Sequence, residues 1–520
     1  MQTPIRVFPA EGWLFPNMPG GADRICLSAA RGSYACCQLF LFSDQQTSVS
    51  WQISGNTPLP SPALFQLLPV TVNRNSCFLE DLDTQRTPLE SLSQYYTKTA
   101  PFQVYDAMKP LGKSFLCAVS ETALYLKWPI PSDIKPGTYH GELSFSWNGG
   151  SAAVPYEIQI ASAVVPQEGH FQMINWIAPN AKWYQFTPFS SRHWDILKKL
   201  NTLACGARQT HVNLNASFFY FRTEKEKPVF QFDRAETYIQ MCMKLGCRFI
   251  EGPSLKELCF SLLPGVTEAD LIGNDCIAFL GSFLEQWYAF LQEHHYADIT
   301  VQHIFDEPRD KNAEIYQRLG HLVKEKIPGI PTLDAVLTTN LNHVPDIMIP
   351  TTRFYQLRKQ EFDTLAQNGR KLWLYTCCWP SAPYLNRFLD MPLLSVRYLH
   401  WLCRLLDIPA YLHWGFCFQA DTQDVFTEPS IPFKIFDDSL EQYLPPGDTN
   451  IVYPLEGEPI GSVRLEMQRA GIEDFELLTS LDASQRNTLI QKCIRPDFTA
   501  DTSMDLHHKL YQELLYEVSK

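Results

Sequence analysis

Two textures of apolar and polar positions divide the chain. Up to about residue 165, apolar and polar residues alternate in short runs. Examples are Gln38-Leu39-Phe40-Leu41-Phe42 and Ala123-Leu124-Tyr125-Leu126-Lys127-Trp128, with Pro, Gly, Asn and Asp between such runs. A period of two is the mark of half-buried strands. Pro136-Gly137 turns into the run ending at Phe145, and Trp147-Asn148-Gly149-Gly150 turns back into Ala153 to Ile160, which predicts a hairpin. Strand after strand with little helical periodicity predicts an N-terminal β-sandwich domain over residues 1–165, with a boundary at Pro166.

From about residue 167, strand-like and helix-like segments alternate, the order of an α/β architecture with parallel strands. Eight strand candidates are His170–Trp176, Ala207–Val212, Arg248–Glu251, Thr300–Phe305, Leu333–Leu337, Asp346–Ile349, Lys371–Thr376 and Ala410–Trp414. Between them, Leu280, Phe283, Leu284, Trp287, Phe290 and Leu291 repeat at helical spacing, and Asp390 before Pro392 predicts a helix start continued by Leu394, Tyr398, Leu402 and Leu405. Eight strands with intervening helices predict a (β/α)8 TIM-like barrel over residues 166–520. After Gly415 a loop rich in Pro and Asp is expected to about Pro459. Closing helices are expected from Ile460, Val463, Met467, Ala470, Leu477 and Leu481, and from Leu510, Tyr511, Leu514, Leu515 and Val518.

Composition narrows the chemistry. Against 43 Lys+Arg stand 56 Asp+Glu, a net charge of −13, which disfavours nucleic acid as a partner. No run of apolar residues is long enough for a membrane span. The opening MQTPIRVFPAEGWLFPN lacks a basic stretch followed by an apolar one, so a cytoplasmic location is expected. The 15 Cys are odd in number and scattered, with adjacent pairs at Cys36-Cys37 and Cys377-Cys378, so free thiols are expected. With no metal-ligand spacing, GxSxG or phosphate loop, neither metal nor cofactor is expected. Aromatics are 13% of the chain, enough to fill cores and to line a sugar site. Nothing in the sequence bears on oligomeric state.

The segment Val301-Gln302-His303-Ile304-Phe305-Asp306-Glu307-Pro308 concentrates the chemistry. It reads as an apolar strand ended by two adjacent carboxylates and a proline. Carboxyl ends of barrel strands are where catalytic groups sit. Two close carboxylates suit glycoside cleavage, because mutual repulsion keeps one of them protonated. The other reading makes Glu307 a helix cap ahead of Pro308, with Asp306 paired to Arg309 on the surface. His303 and Trp373 lie deeper in their strands and read as core.

The string Phe305-Asp306-Glu307-Pro308 resembles the catalytic strand of glycoside hydrolase family 123 and of the related domain of unknown function 4091 proteins. Leu372-Trp373-Leu374-Tyr375-Thr376-Cys377 is similar to that family's late strand, and Arg397-Tyr398-Leu399-His400-Trp401 with Tyr411-Leu412-His413-Trp414-Gly415 to its final helix and strand. Tyr453-Pro454, Ser462-Val463-Arg464-Leu465-Glu466 and Gly471-Ile472-Glu473-Asp474-Phe475-Glu476 resemble its C-terminal signature. The Pro136-Gly137-Thr138-Tyr139-His140-Gly141 hairpin resembles the sandwich that precedes the family's barrel.

The resemblance implies a retaining β-N-acetylgalactosaminidase-type hydrolase in which the substrate's acetamido oxygen attacks the anomeric carbon. Glu307 would then be the acid and base, and Asp306 would orient the acetamido group. Successive residues leave a strand in opposite directions, which would let the pair reach different substrate atoms. Tyr375, Trp414, Trp176, Arg208 and His211 are the substrate-binding candidates. Tyr375 could bond the acetamido group, Trp414 could stack on the sugar, and Arg208 and His211 could bind hydroxyls. Two further readings stay open. One is a glycosidase for another sugar with Asp306 as nucleophile, and the other a non-catalytic carbohydrate-binding protein.

Overall fold

A computed structural model describes residues 4–55, 58–76, 95–342, 344–432 and 443–520. Ten strands come first: β1 (Ile5–Pro9), β2 (Ile25–Arg31), β3 (Tyr34–Ser43), β4 (Thr47–Ser54), β5 (Ala63–Val72), β6 (Phe102–Pro110), β7 (Ser114–Cys117), β8 (Ser120–Pro129), β9 (Gly137–Trp147) and β10 (Gly150–Val164). They form one sheet containing β1-β3-β8-β5-β6 and a second ordered β2-β10-β9-β4-β7. The hairpin read from Asn148-Gly149 is there, with Trp147 opposite Gly150.

Alternation along β8 assigns its two faces. Leu124, Leu126 and Trp128 enter a core shared with Trp51, Leu143, Phe145, Val154 and Ile158 of the second sheet. Ala123 and Tyr125 point the other way, into a core with Leu393, Val396, Val463 and Met467. The first sheet is thus covered on both faces, by strands on one side and by C-terminal helices on the other.

A strand overlaps each of the eight predicted α/β segments: β11 (Gln172–Asn175), β12 (His211–Asn213), β15 (Phe249–Gly252), β16 (Thr300–His303), β17 (Thr332–Ala335), β18 (Ile347–Ile349), a seventh interrupted at Trp373 as β19 (Lys371–Leu372) and β20 (Leu374–Tyr375), and β21 (Ala410–His413). A separate hairpin, β13 (Tyr220–Glu224) with β14 (Lys227–Gln231), precedes β15. The parallel strands pair as β12-β15-β16-β17-β18-β19 and as β11-β21-β20, two curled sheets. Thr210 N donates to Met173 O and Tyr375 N to Pro350 O, linking the one run to the other. Most strand residues are buried, as expected where helices cover a parallel sheet. The stripe of Leu280, Phe283, Leu284, Trp287, Phe290 and Leu291 is the buried face of helix Asn274–Glu293.

Two expectations after β20 are corrected. Asp390 does not start a helix: the helix runs Leu394–Leu405, and the Asp390 carboxylate accepts Ser76 N at 2.6 Å and Ser76 Oγ at 2.9 Å. The stretch expected as loop to Pro459 holds β22 (Tyr453–Leu455) and the start of β23 (Glu458–Ser462), joined by Glu456-Gly457; its residues 433–442 lie outside the described residues. Both turn residues have positive φ, 53° and 83°, as a two-residue hairpin requires. β23 pairs with β6, so the C-terminal part adds two strands to the first sheet.

Helix Val463–Thr479 follows, capped by Ser462, whose Oγ accepts from Leu465 N. It is buried almost all round, so its charges need partners inside the protein. Arg464 Nε donates to Asp106 Oδ2 at 2.8 Å, and its other nitrogens donate to Gly447 O, Arg387 O and Asn450 O. Asp474 accepts from Arg397 Nε and Trp401 Nε1. Gly471 lets this helix meet Leu394–Leu405: an added Cβ would stand 2.5 Å from Arg397 O. Every described cysteine is a free thiol. Among the described residues no helix is long and apolar enough to cross a membrane, and no three His, Cys, Asp or Glu side chains group as metal ligands would.

Candidate active site

β16 ends at His303, and the chain then bends sharply. Asp306 and Glu307 have φ of 83° and 49°, the left-handed region, which costs a side-chain-bearing residue about 1–2 kcal/mol. The pair therefore does not splay to opposite sides of a strand, as alternation would have it. Both side chains line one cavity of about 310 Å³.

The bend is held from the neighbouring strand. Asp334, in the middle of β17, accepts from Ile304 N at 3.2 Å, Phe305 N at 3.1 Å and Asp306 N at 2.7 Å. Tyr316 donates its hydroxyl to the same carboxylate at 3.0 Å, and His303 Nε2 lies 3.1 Å from it. Glu307 N donates to Ala335 O at 3.0 Å. Hydrogen bonds to a charged group contribute about 1.5–3 kcal/mol each, enough to offset two left-handed residues.

Electrostatics raise the proton affinity of both carboxyls. Burial, and then the Glu307 carboxylate, push the Asp306 carboxyl above its usual range. Burial also raises Glu307, against the opposing pull of the Tyr375 hydroxyl and of the Arg309 and Lys256 charges. Tyr375 donates to Glu307 Oε1 at 2.6 Å. Behind the pair, burial disfavours a charged His303, but Asp334, Glu251 and Asp306 outweigh it and bring the imidazole up to about 9. The imidazole beneath the pair is thus biased toward its charged form by the surrounding carboxylates.

Aromatic side chains form the walls. Trp176 follows β11 and Trp414 follows β21, and both line the cavity with Tyr375 and Leu444. Trp176 donates its indole N–H to Glu251, 3.1 Å away, and its ring lies 5.5 Å from that of His303. Trp414 packs against Phe418, with ring centroids 5.4 Å apart.

The structure therefore brings together Asp306, Glu307, Tyr375, Trp414 and Trp176. It does not bring Arg208 or His211 to them. β12 begins at His211, so both residues lie at the amino end of the strand rather than the carboxyl end. Arg208 has φ of 71° in the turn before the strand and donates to Pro166 O, Gln167 O and Glu473. His211 faces Phe249 and Trp373 in a separate cavity. The carboxyl end of β12 carries Asn213, which donates to Glu251. Glu307 caps no helix: the next helical turn, Asp310–Asn312, has Arg309 before it, and Arg309 lines the cavity. Trp373 is buried as core, as read. The sequence does not single out Asp334 or Glu251, which stand beneath the pair. The signal for them is a lone acid within an apolar strand, as in Leu333-Asp334-Ala335, which burial tolerates only with several donors.

No curated protein matches the chain. Among solved structures, a family 39 glycoside hydrolase from Bacteroides cellulosilyticus WH2 aligns over 86% of this chain and 82% of its own at 11% identity, with a TM-score of 0.37 that carries no argument. A family 123 glycoside hydrolase from Clostridium perfringens, described for glycolipid glycan hydrolysis, aligns over 99% of this chain and 97% of its own. The TM-score is 0.73 at 14% identity, a likeness of fold. The family model described as glycoside hydrolase 123, catalytic domain, matches residues 269–481, a span that contains both carboxylates, Tyr375 and Trp414. Residues 269–481 are thus similar to the catalytic domain of glycoside hydrolase family 123, a match that supports a glycosidase.

Proposed function

We propose that this glycosidase removes a terminal β-linked N-acetylhexosamine, N-acetylgalactosamine by preference, by a retaining, substrate-assisted mechanism. The observation that carries the reading is the adjacent pair Asp306 and Glu307, turned into one cavity with the Tyr375 hydroxyl on Glu307 Oε1. With Oε1 engaged, Glu307 offers Oε2 as the proton donor to the glycosidic oxygen. The acetamido oxygen attacks the anomeric carbon as the bond to the leaving group breaks. Asp306 accepts the acetamido N–H and offsets the positive charge that develops on the forming ring. Glu307, now ionised, takes a proton from water, which opens the intermediate with net retention. The Tyr375 hydroxyl supports Glu307 rather than the acetamido group. Trp414 and Trp176 receive the apolar faces of the sugar.

We read the architecture that presents this site as a (β/α)8 barrel over residues 166–520, preceded by a β-sandwich over residues 1–165. Eight parallel strands in two hydrogen-bonded runs support the first part, and two sheets sharing a core support the second. The hairpin Tyr453–Ser462 crosses that division.

The test is a panel of aryl β-glycosides, namely N-acetylgalactosaminide, N-acetylglucosaminide, galactoside and glucoside, against wild type, Glu307→Gln and Asp306→Asn. The N-acetylgalactosaminide should be cut fastest, a thiazoline mimic of the intermediate should inhibit, and each variant should lose about 10²–10⁴-fold on an unactivated glycan. Equal cleavage of the plain hexosides with no thiazoline inhibition would instead make Asp306 a direct nucleophile. Binding without cleavage of any glycan would make the protein a carbohydrate binder.

A further inference from the structure

We propose that Asp334 is a positioning residue for this site: its carboxylate holds the backbone of residues 304–306 in the turn that aims Asp306 and Glu307 at one cavity. The inference rests on the reading of that pair as the catalytic carboxylates. It adds a residue that does not line the cavity.

β16 pairs with β17 only through Gln302 opposite Thr332 and His303 opposite Leu333. Beyond His303 the backbone N–H groups of Ile304, Phe305 and Asp306 would need acceptors on a strand the chain is leaving. All three donate to the Asp334 side chain instead. A carboxylate can take N–H groups that no longer follow strand geometry, because its two oxygens accept over a wide range of directions. The neighbouring strand thus supports the chain while it turns out of the sheet.

The acceptor capacity is filled. Oδ1 takes Phe305 N and Asp306 N, with His303 Nε2 at 3.1 Å, and Oδ2 takes Ile304 N and the Tyr316 hydroxyl. Asp334 is fully buried, so water cannot replace it. Each of its four hydrogen-bond partners is a donor. An asparagine has nearly the same shape but would turn an NH2 toward at least one of those donors. Fold and volume would survive, and the turn would loosen.

The experiment compares wild type with Asp334→Asn and Tyr316→Phe. It measures kcat and KM on aryl glycosides with good and poor leaving groups, and hydrogen exchange by mass spectrometry of a peptide covering residues 300–308. A displaced general acid matters most where the leaving group needs its proton. For Asp334→Asn the expected result is a kcat loss of about 100-fold on the poorest leaving group, at least about tenfold smaller on the best, with KM within about threefold. Exchange in the 300–308 peptide should rise. Tyr316→Phe removes one donor and leaves the carboxylate in place, so it should show the same leaving-group bias with a loss of about 3–10-fold, and it carries the test if Asp334→Asn does not fold. Unchanged kcat, or an equal loss on every leaving group with unchanged exchange, overturns the proposal. If wild type cleaves none of the glycosides, the functional reading fails, and exchange alone decides whether Asp334 holds the turn.

Discussion

The hydroxyl of Tyr375 donates to Oε1 of Glu307 at 2.6 Å, joining two residues 68 positions apart in the chain. A donor of this kind stabilises the ionised carboxylate and works against the burial that raises it. Without it, Glu307 would hold its proton to higher pH. Tyr375→Phe should therefore move the basic limb of the kcat/KM profile upward. It should also lower kcat/KM by about 10–100-fold, the worth of one hydrogen bond to a charged group. A pH–rate profile checks both. A limb that moves downward would reverse the assignment of Glu307 as the acid.

Trp414 offers the cavity a broad apolar face, braced by Phe418. If the sugar stacks there, Trp414→Ala should raise KM by about 3–10-fold, while Trp414→Phe keeps most of the affinity. Steady-state kinetics on the best aryl glycoside separates the two. An unchanged KM for Trp414→Ala would leave the wall without a binding role.

Arg208 supplies the control. It is bonded to Pro166 O, Gln167 O and Glu473, away from the cavity with the two carboxylates. Arg208→Ala should lower thermal stability by about 1–2 kcal/mol through the lost bonds and leave KM within about twofold. A large rise in KM would return Arg208 to the substrate site.

The pair of Arg464 and Asp106 tests how the C-terminal helix is tied to the first sheet. Both side chains are fully buried, and Asp106 also accepts from Tyr453. Arg464→Met leaves a buried carboxylate without its cation and should cost about 3–5 kcal/mol in denaturant unfolding. Arg464→Met combined with Asp106→Asn should recover part of that loss, because the uncompensated charge is gone. No recovery would mean that the donations from Arg464 to Gly447 O, Arg387 O and Asn450 O carry the effect.

Much of this protein is legible in one dimension. The period-two runs locate the early strands, because which residues are buried is set locally by the pleat. The eight segments after residue 167 each overlap a strand because a parallel strand covered on both faces reads as a short, mostly apolar run. The Phe305-Asp306-Glu307-Pro308 string marks the site, since an apolar run ended by two acids and a proline is a rare local composition.

What tertiary structure alone decides is direction and register. A shift of a few residues in the start of β12 exchanges the two ends of the strand. Arg208 and His211, read as flanking the site, therefore lie opposite it. Periodicity reports burial and is silent about which end of a short strand carries the chemistry. The left-handed bend at Asp306 and Glu307 is equally invisible in sequence, because it is stabilised by a carboxylate nearly thirty residues away on the next strand. Local residue types determine that there is a site; contacts between distant strands aim its two carboxylates into one cavity.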